Sequence, residues 1–469
     1  MSKEKRLVKN TLIIGLANIC TKCIGFFMMP LYTSLLTTFE YGIVDVISTY
    51  ASLLTVVLTL QLEQGLFRYL IKSRNNRTEQ TEYISVALML IAVAIAVFVL
   101  ATVPVLSAIR YQYTLFFVLI TATNVVNALF LQLPRGMGDN KKYAMASCLN
   151  GSSVVILNVL FIAVWKLGIR GLCLASVLSN VLSIIYVFVT SRVWRYVDFR
   201  AVSASARRTL MSFSAPLIPY TLTWWLISAS DRIIINAVLG AAFNGIYAIA
   251  NKFPSIYTLV SNIFQQAWAE AVIENAGEKE CDEFYNNIVN KAIRFYSACC
   301  LGAIAILPFV FDFLVNERYK EAYLYIPILT TAAMFHAIAA LYGAIYLAFN
   351  RTKKLLVSNL MAAIINILVN VLWINQIGLF AAAISTVISQ FVILLERCIE
   401  TKEFLKISVQ KRFVIYGSVA WVFVLWGYYT GTKAMQMLIL SGVILYSIYS
   451  NHDILLELIK SMRSKLGRR

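Results

Sequence analysis

Stretches of about twenty consecutive apolar residues recur along this chain from one end to the other, and about twenty is the number a helix needs to cross the hydrocarbon core of a bilayer. In lipid no water is at hand for the backbone, so each stretch must form a helix that satisfies its own N–H and C=O groups. The runs predict spans at 10–35, 42–68, 82–106, 112–134, 143–165, 168–190, 211–230, 244–266, 288–311, 322–349, 354–374, 377–396, 412–430 and 434–450. The expected fold class is therefore an all-α integral membrane protein with about fourteen transmembrane helices. Composition excludes a soluble globular alternative: 60% of the 469 residues are hydrophobic and 14% charged, with a mean hydropathy of +0.74.

The charges report on topology. Lys3, Lys5, Arg6 and Lys9 precede the first span, which is long and has no small-residue cleavage pattern before Tyr32, so it reads as a retained helix. With the N-terminus cytoplasmic, the alternate loops on that side hold most of the Lys and Arg, as the positive-inside rule requires, and an even number of spans returns the C-terminus to the same side. The net charge of +18 thus faces the lipid bilayer and its anionic headgroups. No nucleic-acid partner is expected, because no soluble domain exists to present the charge. The eight cysteines fall almost entirely in apolar spans, and the Cys20/Cys23 pair lacks the polar, accessible surroundings of a zinc or redox site.

The chain repeats itself. Setting Gly42 against Gly245 places the second and eighth spans in register, and the match is carried by polar residues: Ser48, Ser52, Thr55, Thr59 and Glu63 in one, Asn251, Ser255, Thr258, Asn262 and Gln266 in the other. The fifth and eleventh spans match from Asn140 and Arg351, with Lys141-Lys142 over Lys353-Lys354 and Asn158 over Asn370; after a two-residue slip Ser179-Asn180 faces Ser389-Gln390. Spans one to six and seven to twelve are two copies of one unit, and an even number of spans per copy makes the repeat parallel. The expected organisation is an N-lobe (1–200), a C-lobe (201–410) around a central cavity, and a C-terminal helix pair with a basic tail (411–469).

Asp45, Ser48, Ser52, Thr55, Thr59 and Glu63 would share an arc of about 80° on a continuous helix. Hydroxyls at such spacing often serve helix packing, but a stripe with a carboxylate at each end and a counterpart in the other copy points to a water-filled cavity. Asn18 and Lys22 lie on a shorter polar face of the first span, Lys22 near mid-membrane, where a cation costs about 2.5–3.5 kcal/mol unless it is paired or hydrated. Lys252 lies beside Asn251 on the second stripe; Arg68 and Arg294 lie near span ends. His336 reads as a packing histidine, and Asp231-Arg232 as a surface pair closing the seventh span. Pro30, Pro216 and Pro219 mark bending points. The sequence holds no P-loop, metal-ligand cluster or nucleophile motif, so no enzyme activity and no bound cofactor are expected.

The N-terminal stretch from Asn10 to Leu70, together with Pro30-Leu31-Tyr32, Tyr41-Gly42 with Asp45, Arg68-Tyr69, Gly245-Ile246-Tyr247 and the two Lys-Lys repeat starts, resembles the Wzx-like polysaccharide flippases of the multidrug/oligosaccharidyl-lipid/polysaccharide exporter superfamily. That resemblance implies alternating access that turns an undecaprenyl-diphosphate-linked oligosaccharide across a bacterial cytoplasmic membrane, alongside glycosyltransferases and a polysaccharide polymerase. It would assign Lys22, Arg68, Lys252 and Arg294 to the diphosphate, and Asn18, Ser48, Ser52, Thr55, Asn251, Ser255 and Asn262 to the sugars. Asp45 and Glu63 would be the carboxylates for coupling to a Na+ or H+ gradient. A cation-coupled drug antiporter of the same superfamily fits less well, since the first span holds a lysine where such exporters place carboxylates. A non-transporting scaffold for glycosyltransferases would gain nothing from mid-membrane lysines.

Overall fold

The computed structural model describes residues 25–456 apart from 75, 275–280, 350, 404, 406 and 455. Every regular element among the described residues is a helix, and eleven of these helices are long and apolar enough to cross a membrane. The protein is a multi-pass, all-helical integral membrane protein. The eleven correspond to the second to sixth and ninth to fourteenth predicted spans; the first lies mostly outside the described residues, and the seventh and eighth take other bounds.

The chain divides into two compact units, residues 1–245 and 246–469. The first contains α1 (Met29–Leu35), α2 (Thr38–Leu58), α3 (Leu62–Lys72), α4 (Arg77–Ala108), α5 (Thr114–Gly136), α6 (Asn140–Asn158, prolonged by a π-helical turn Val159–Val164), α7 (Gly168–Thr190), α8 (Ala204–Ser214) and α9 (Leu217–Val238). The division falls inside α10 (Ala241–Ala250). The second unit continues with α11 (Lys252–Glu274), α12 (Cys281–Leu314), α13 (Ala322–Ala348), α14 (Thr352–Ile377), α15 (Leu379–Thr401), α16 (Lys411–Thr430) and α17 (Lys433–Ser450).

In the first unit α5 packs on α3 and α7, and α7 on α6. One apolar core runs from Leu62, Leu66 and Leu70 through Leu129 and Leu133 to Leu210; a second joins Ile47 and Ala51 to Ile120, Ile169 and Cys173. In the second unit α15 packs between α13 and α14, and the pair α16 and α17 lies on α12. Polar networks stand at matching places of the two copies. Asn180 bonds Asn127, Asn150, Asn124 and Thr123; its counterpart Gln390 bonds His336 at 3.2 Å, which gives that histidine a packing partner on α15.

Three expectations about span bounds are corrected. The second span is not one helix: Leu60 and Gln61 both take left-handed backbone conformations, with φ of 50° and 55°, so α2 ends at Leu58 and α3 begins at Leu62. Neither glycine nor proline causes this. The Thr59 hydroxyl accepts the Gln61 N–H at 3.3 Å, a local bond that competes with the helical ladder, and the Gln61 side chain accepts from Thr221 at 3.2 Å. Thr59 is 1% exposed, so Thr59→Val, which keeps the shape and deletes the acceptor, is expected to cost about 1–2 kcal/mol. A drop in the thermal midpoint of the detergent-purified protein checks this, and an unchanged midpoint would show that the break is held elsewhere.

The seventh span also breaks. α8 stops at Ser214 and α9 starts after Pro216, whose missing N–H cannot extend the ladder, and α9 then runs on to Val238. Asp231 and Arg232 therefore lie within a helix and do not close one at the surface. The eighth span is divided at Asn251, between α10 and α11.

Candidate functional site

Arg232, which hydropathy paired with Asp231 at a helix end, instead forms an ion pair with Asp45 at the centre of a polar site in the first unit. Thr37 starts α2 with a reciprocal capping box to Glu40, which fixes the phase of the helix and turns Asp45 toward α9. There the Arg232 guanidinium stands 3.2 Å from one Asp45 oxygen. The other oxygen accepts the Asn244 amide at 3.0 Å, and the same amide reaches the Gly42 carbonyl at 3.3 Å. Arg232 also reaches the Thr49 hydroxyl at 3.5 Å. Asp45 retains 15% and Arg232 31% of side-chain exposure, so the carboxylate is the more enclosed partner.

A cavity of about 430 Å³ opens beside this pair, lined by Thr49, Ser52, Val56, Thr221, Trp225 and Ala229 together with Arg232. The Trp225 indole donates to the Ser52 hydroxyl at 2.9 Å, which orients the ring along the cavity wall. The site thus presents a cation, three hydroxyls and an aromatic surface. These are the groups that hold a hydrated, sugar-bearing anion while leaving its orientation adjustable.

The face that lines the cavity is Thr49, Ser52 and Val56, one step around α2 from the expected stripe. Ser52 belongs to both. Ser48 is exposed, and the Thr55 hydroxyl is taken up by the Ala51 carbonyl of its own helix at 2.7 Å. Glu63 does not continue the stripe, because the break at Leu60-Gln61 resets the helical phase. It occupies the first turn of α3, where a carboxylate complements the positive helix end. Its Oε2 is buried with no hydrogen-bond partner among the described residues.

Arg68 is exposed and stacks 4.3 Å from the Phe213 ring. In the second unit Arg294 is bound to the C-terminal pair: 2.6 Å from Asp453, 2.9 Å from the Ser450 carbonyl, and 4.8 Å from the Phe413 ring. Its guanidinium is engaged by α16 and the end of α17. Lys252 and Asn262 are half-buried on α11, the Asn251 amide bonds the Tyr247 carbonyl, and the Ser255 hydroxyl bonds the Lys252 carbonyl. Asn18 and Lys22 lie outside the described residues. Sequence reasoning missed Arg232, Trp225, Thr49, Thr221 and Asn244. The available signal was the apolar run Ile233-Ile234-Ile235, which continues the helix past the charge.

Comparison with known proteins follows from this geometry. The family described as polysaccharide biosynthesis protein matches residues 7–269, more than half of the chain. The chain belongs to that family. No curated protein sequence matches it. Among solved structures, this polysaccharide biosynthesis protein is similar to the lipid II flippase MurJ in its inward closed conformation, with a TM-score of 0.69 over 95% of this chain and 100% of that one at 12% identity. It is also similar to an inward-facing multidrug resistance MATE family transporter of the MOP superfamily, with a TM-score of 0.58 over 84% and 97% of the two chains at 13% identity. A MATE in complex with MaD3S aligns with a TM-score of 0.59 over 84% and 94% at 14% identity. The protein is thus a multi-pass membrane protein of the polysaccharide biosynthesis family whose fold is shared with MurJ and the MATE transporters.

Proposed function

We propose that this protein turns an undecaprenyl-diphosphate-linked oligosaccharide across the bacterial cytoplasmic membrane by alternating access, with both termini cytoplasmic, supplying a polysaccharide polymerase with units made by glycosyltransferases. Family membership supports a polysaccharide cargo, and the fold likeness to a lipid II flippase supports a lipid-linked one. The observation that carries the reading is the 430 Å³ cavity with its cation, hydroxyls and Trp225. A diphosphate crosses hydrocarbon only with its charge neutralised, and a ring face beside hydroxyls suits sugar. Arg232 joins Lys22 and Lys252 as a proposed cargo cation. The prenyl tail stays in lipid.

The test is transbilayer movement of a prenyl-diphosphate oligosaccharide in proteoliposomes. Wild type is expected to move it, and Trp225→Ala to move it roughly tenfold more slowly, the effect of losing one aromatic contact of about 1.5 kcal/mol. Movement unchanged in Trp225→Ala would remove this cavity from the cargo path. A wild type that moves no lipid-linked sugar but exchanges small cations against a gradient would establish the antiporter instead.

A further inference from the structure

A second cavity in the first unit, of about 350 Å³, lies where α4 and α6 begin and α7 ends. Four cations line it: Arg77, Lys142, Arg192 and Arg195. No carboxylate lines it among the described residues. Asp139, the cap of α6, pairs with Lys142 at 3.0 Å, and Arg77, Arg192 and Arg195 form no ion pair among the described residues. Arg77 is held in place by the Arg195 carbonyl at 3.3 Å and the Tyr196 ring at 5.4 Å. Ser191 lines the cavity with a buried hydroxyl that has no hydrogen-bond partner among the described residues.

The internal repeat supplies a control. In the register that sets Asn180 over Gln390, Thr190 and Val193 of the first copy stand where the second has Glu400 and Glu403. In the second copy Lys354, the counterpart of Lys142, lies 3.3 Å from Glu400 and 3.1 Å from Glu403, and Arg351 lies 3.6 Å from Glu403. There the chain supplies its own anions. In the first copy neither of those two positions holds an acid, Asp139 pairs with Lys142 alone, and Arg192 and Arg195 line the cavity, which leaves a place for an external anion.

We propose that this cavity binds the phosphate group of an anionic glycerophospholipid from the adjoining leaflet. Cations clustered at the ends of membrane helices are where such headgroups sit. The surroundings favour a lipid over a free anion: Trp194, between the lining residues Arg192 and Arg195 in the chain, stands exposed and packs 5.4 Å from the Phe188 ring, and aromatic rings of this kind mark the interfacial level of a bilayer. The headgroup would take the four cations and the Ser191 hydroxyl while its acyl chains remain among the aromatic rings. This site is separate from the Arg232 cavity and does not depend on the cargo.

Native mass spectrometry of the detergent-purified full chain tests it, with dioleoyl phosphatidylglycerol as probe, dioleoyl phosphatidylcholine as zwitterionic control, and inorganic phosphate as competitor. Phosphatidylglycerol should bind in preference to phosphatidylcholine. Lys142→Gln and Arg192→Gln should each weaken it roughly fivefold, and the pair about 25-fold. Thr190→Glu, which gives the first copy the acid of the second, should displace the lipid, while Thr190→Gln, of the same size, should retain it. Equal binding of the two lipids would overturn the proposal, as would phosphatidylglycerol binding that survives both Thr190→Glu and the double substitution. Displacement of the lipid by equimolar inorganic phosphate would also overturn it, by making the site one for free anions.

Discussion

Arg232→Gln is expected to lower the stability of the purified protein by about 3 kcal/mol and to abolish transbilayer movement, and adding Asp45→Asn is expected to restore the first and not the second. Deleting one member of an enclosed ion pair leaves the other as an uncompensated charge, which costs about 3–5 kcal/mol when the pair is fully buried; the exposure of Arg232 to its cavity places the expected loss at the low end. Among the described residues Asp45 then keeps the Asn244 amide as its hydrogen-bond donor. Replacing Asp45 by Asn removes the orphaned charge and keeps a hydrogen-bonding group of the same size. Transport should stay lost in the double variant, because the cavity no longer carries a cation toward the diphosphate. Thermal unfolding and flipping measured on wild type, both singles and the double make a complete cycle. A double variant no more stable than Arg232→Gln would refute the electrostatic account of the pair, and flipping by either Arg232 variant would refute the cargo role.

Much of the fold was legible because the bilayer imposes one simple rule. A run of Leu, Ile, Val and Ala long enough to span must be helical, so eleven described helices fall on predicted spans without any tertiary information. Polar residues are scarce in lipid, and two that the sequence pairs, Asn180 and Gln390, each make side-chain hydrogen bonds in the structure.

The failures share a different cause. Hydropathy reads a charge as an end, and at Asp231-Arg232 it stopped a helix that continues, the guanidinium being neutralised by Asp45 on α2, a residue far away in the sequence. Arg397 was placed one residue beyond a predicted span for the same reason. It is 5% exposed within α15, its guanidinium bonded to Ser358, Asn359 and the Ala339 carbonyl. Neither partner set is visible from spacing. The break at Leu60-Gln61 was hidden because its cause is a threonine hydroxyl, and most membrane threonines, Thr55 included, bond their own helix without breaking it.

The glycines that first aligned the two copies carry the other large expected effect. Gly42 of α2 and Gly245 of α10 lie against each other: a Cβ on Gly42 would overlap the Ala241 carbonyl and come within 2.9 Å of the Gly245 nitrogen, and a Cβ on Gly245 would overlap the Thr38 carbonyl and come within 3.0 Å of the Gly42 nitrogen. The contact is reciprocal, since Thr38 and Ala241 are related by the same register as the two glycines. Backbone cannot yield as a side-chain end can, so Gly42→Ala is expected to cost about 3 kcal/mol or more, the upper range for overpacking, and Gly245→Ala a similar amount. Gly302→Ala on α12, where an added Cβ meets nothing within 4 Å, should be neutral or slightly stabilising. The double variant Gly42→Ala/Gly245→Ala should cost clearly less than the sum of its singles, because either methyl alone already forces the same two turns apart. That separation would also draw Asn244 away from Asp45, so each single should slow transport in the folded fraction as well as reducing its yield. Thermal midpoints and flipping rates at matched folded protein check both effects. Strict additivity of the two glycine substitutions would show that they act at separate places and that no such crossing exists.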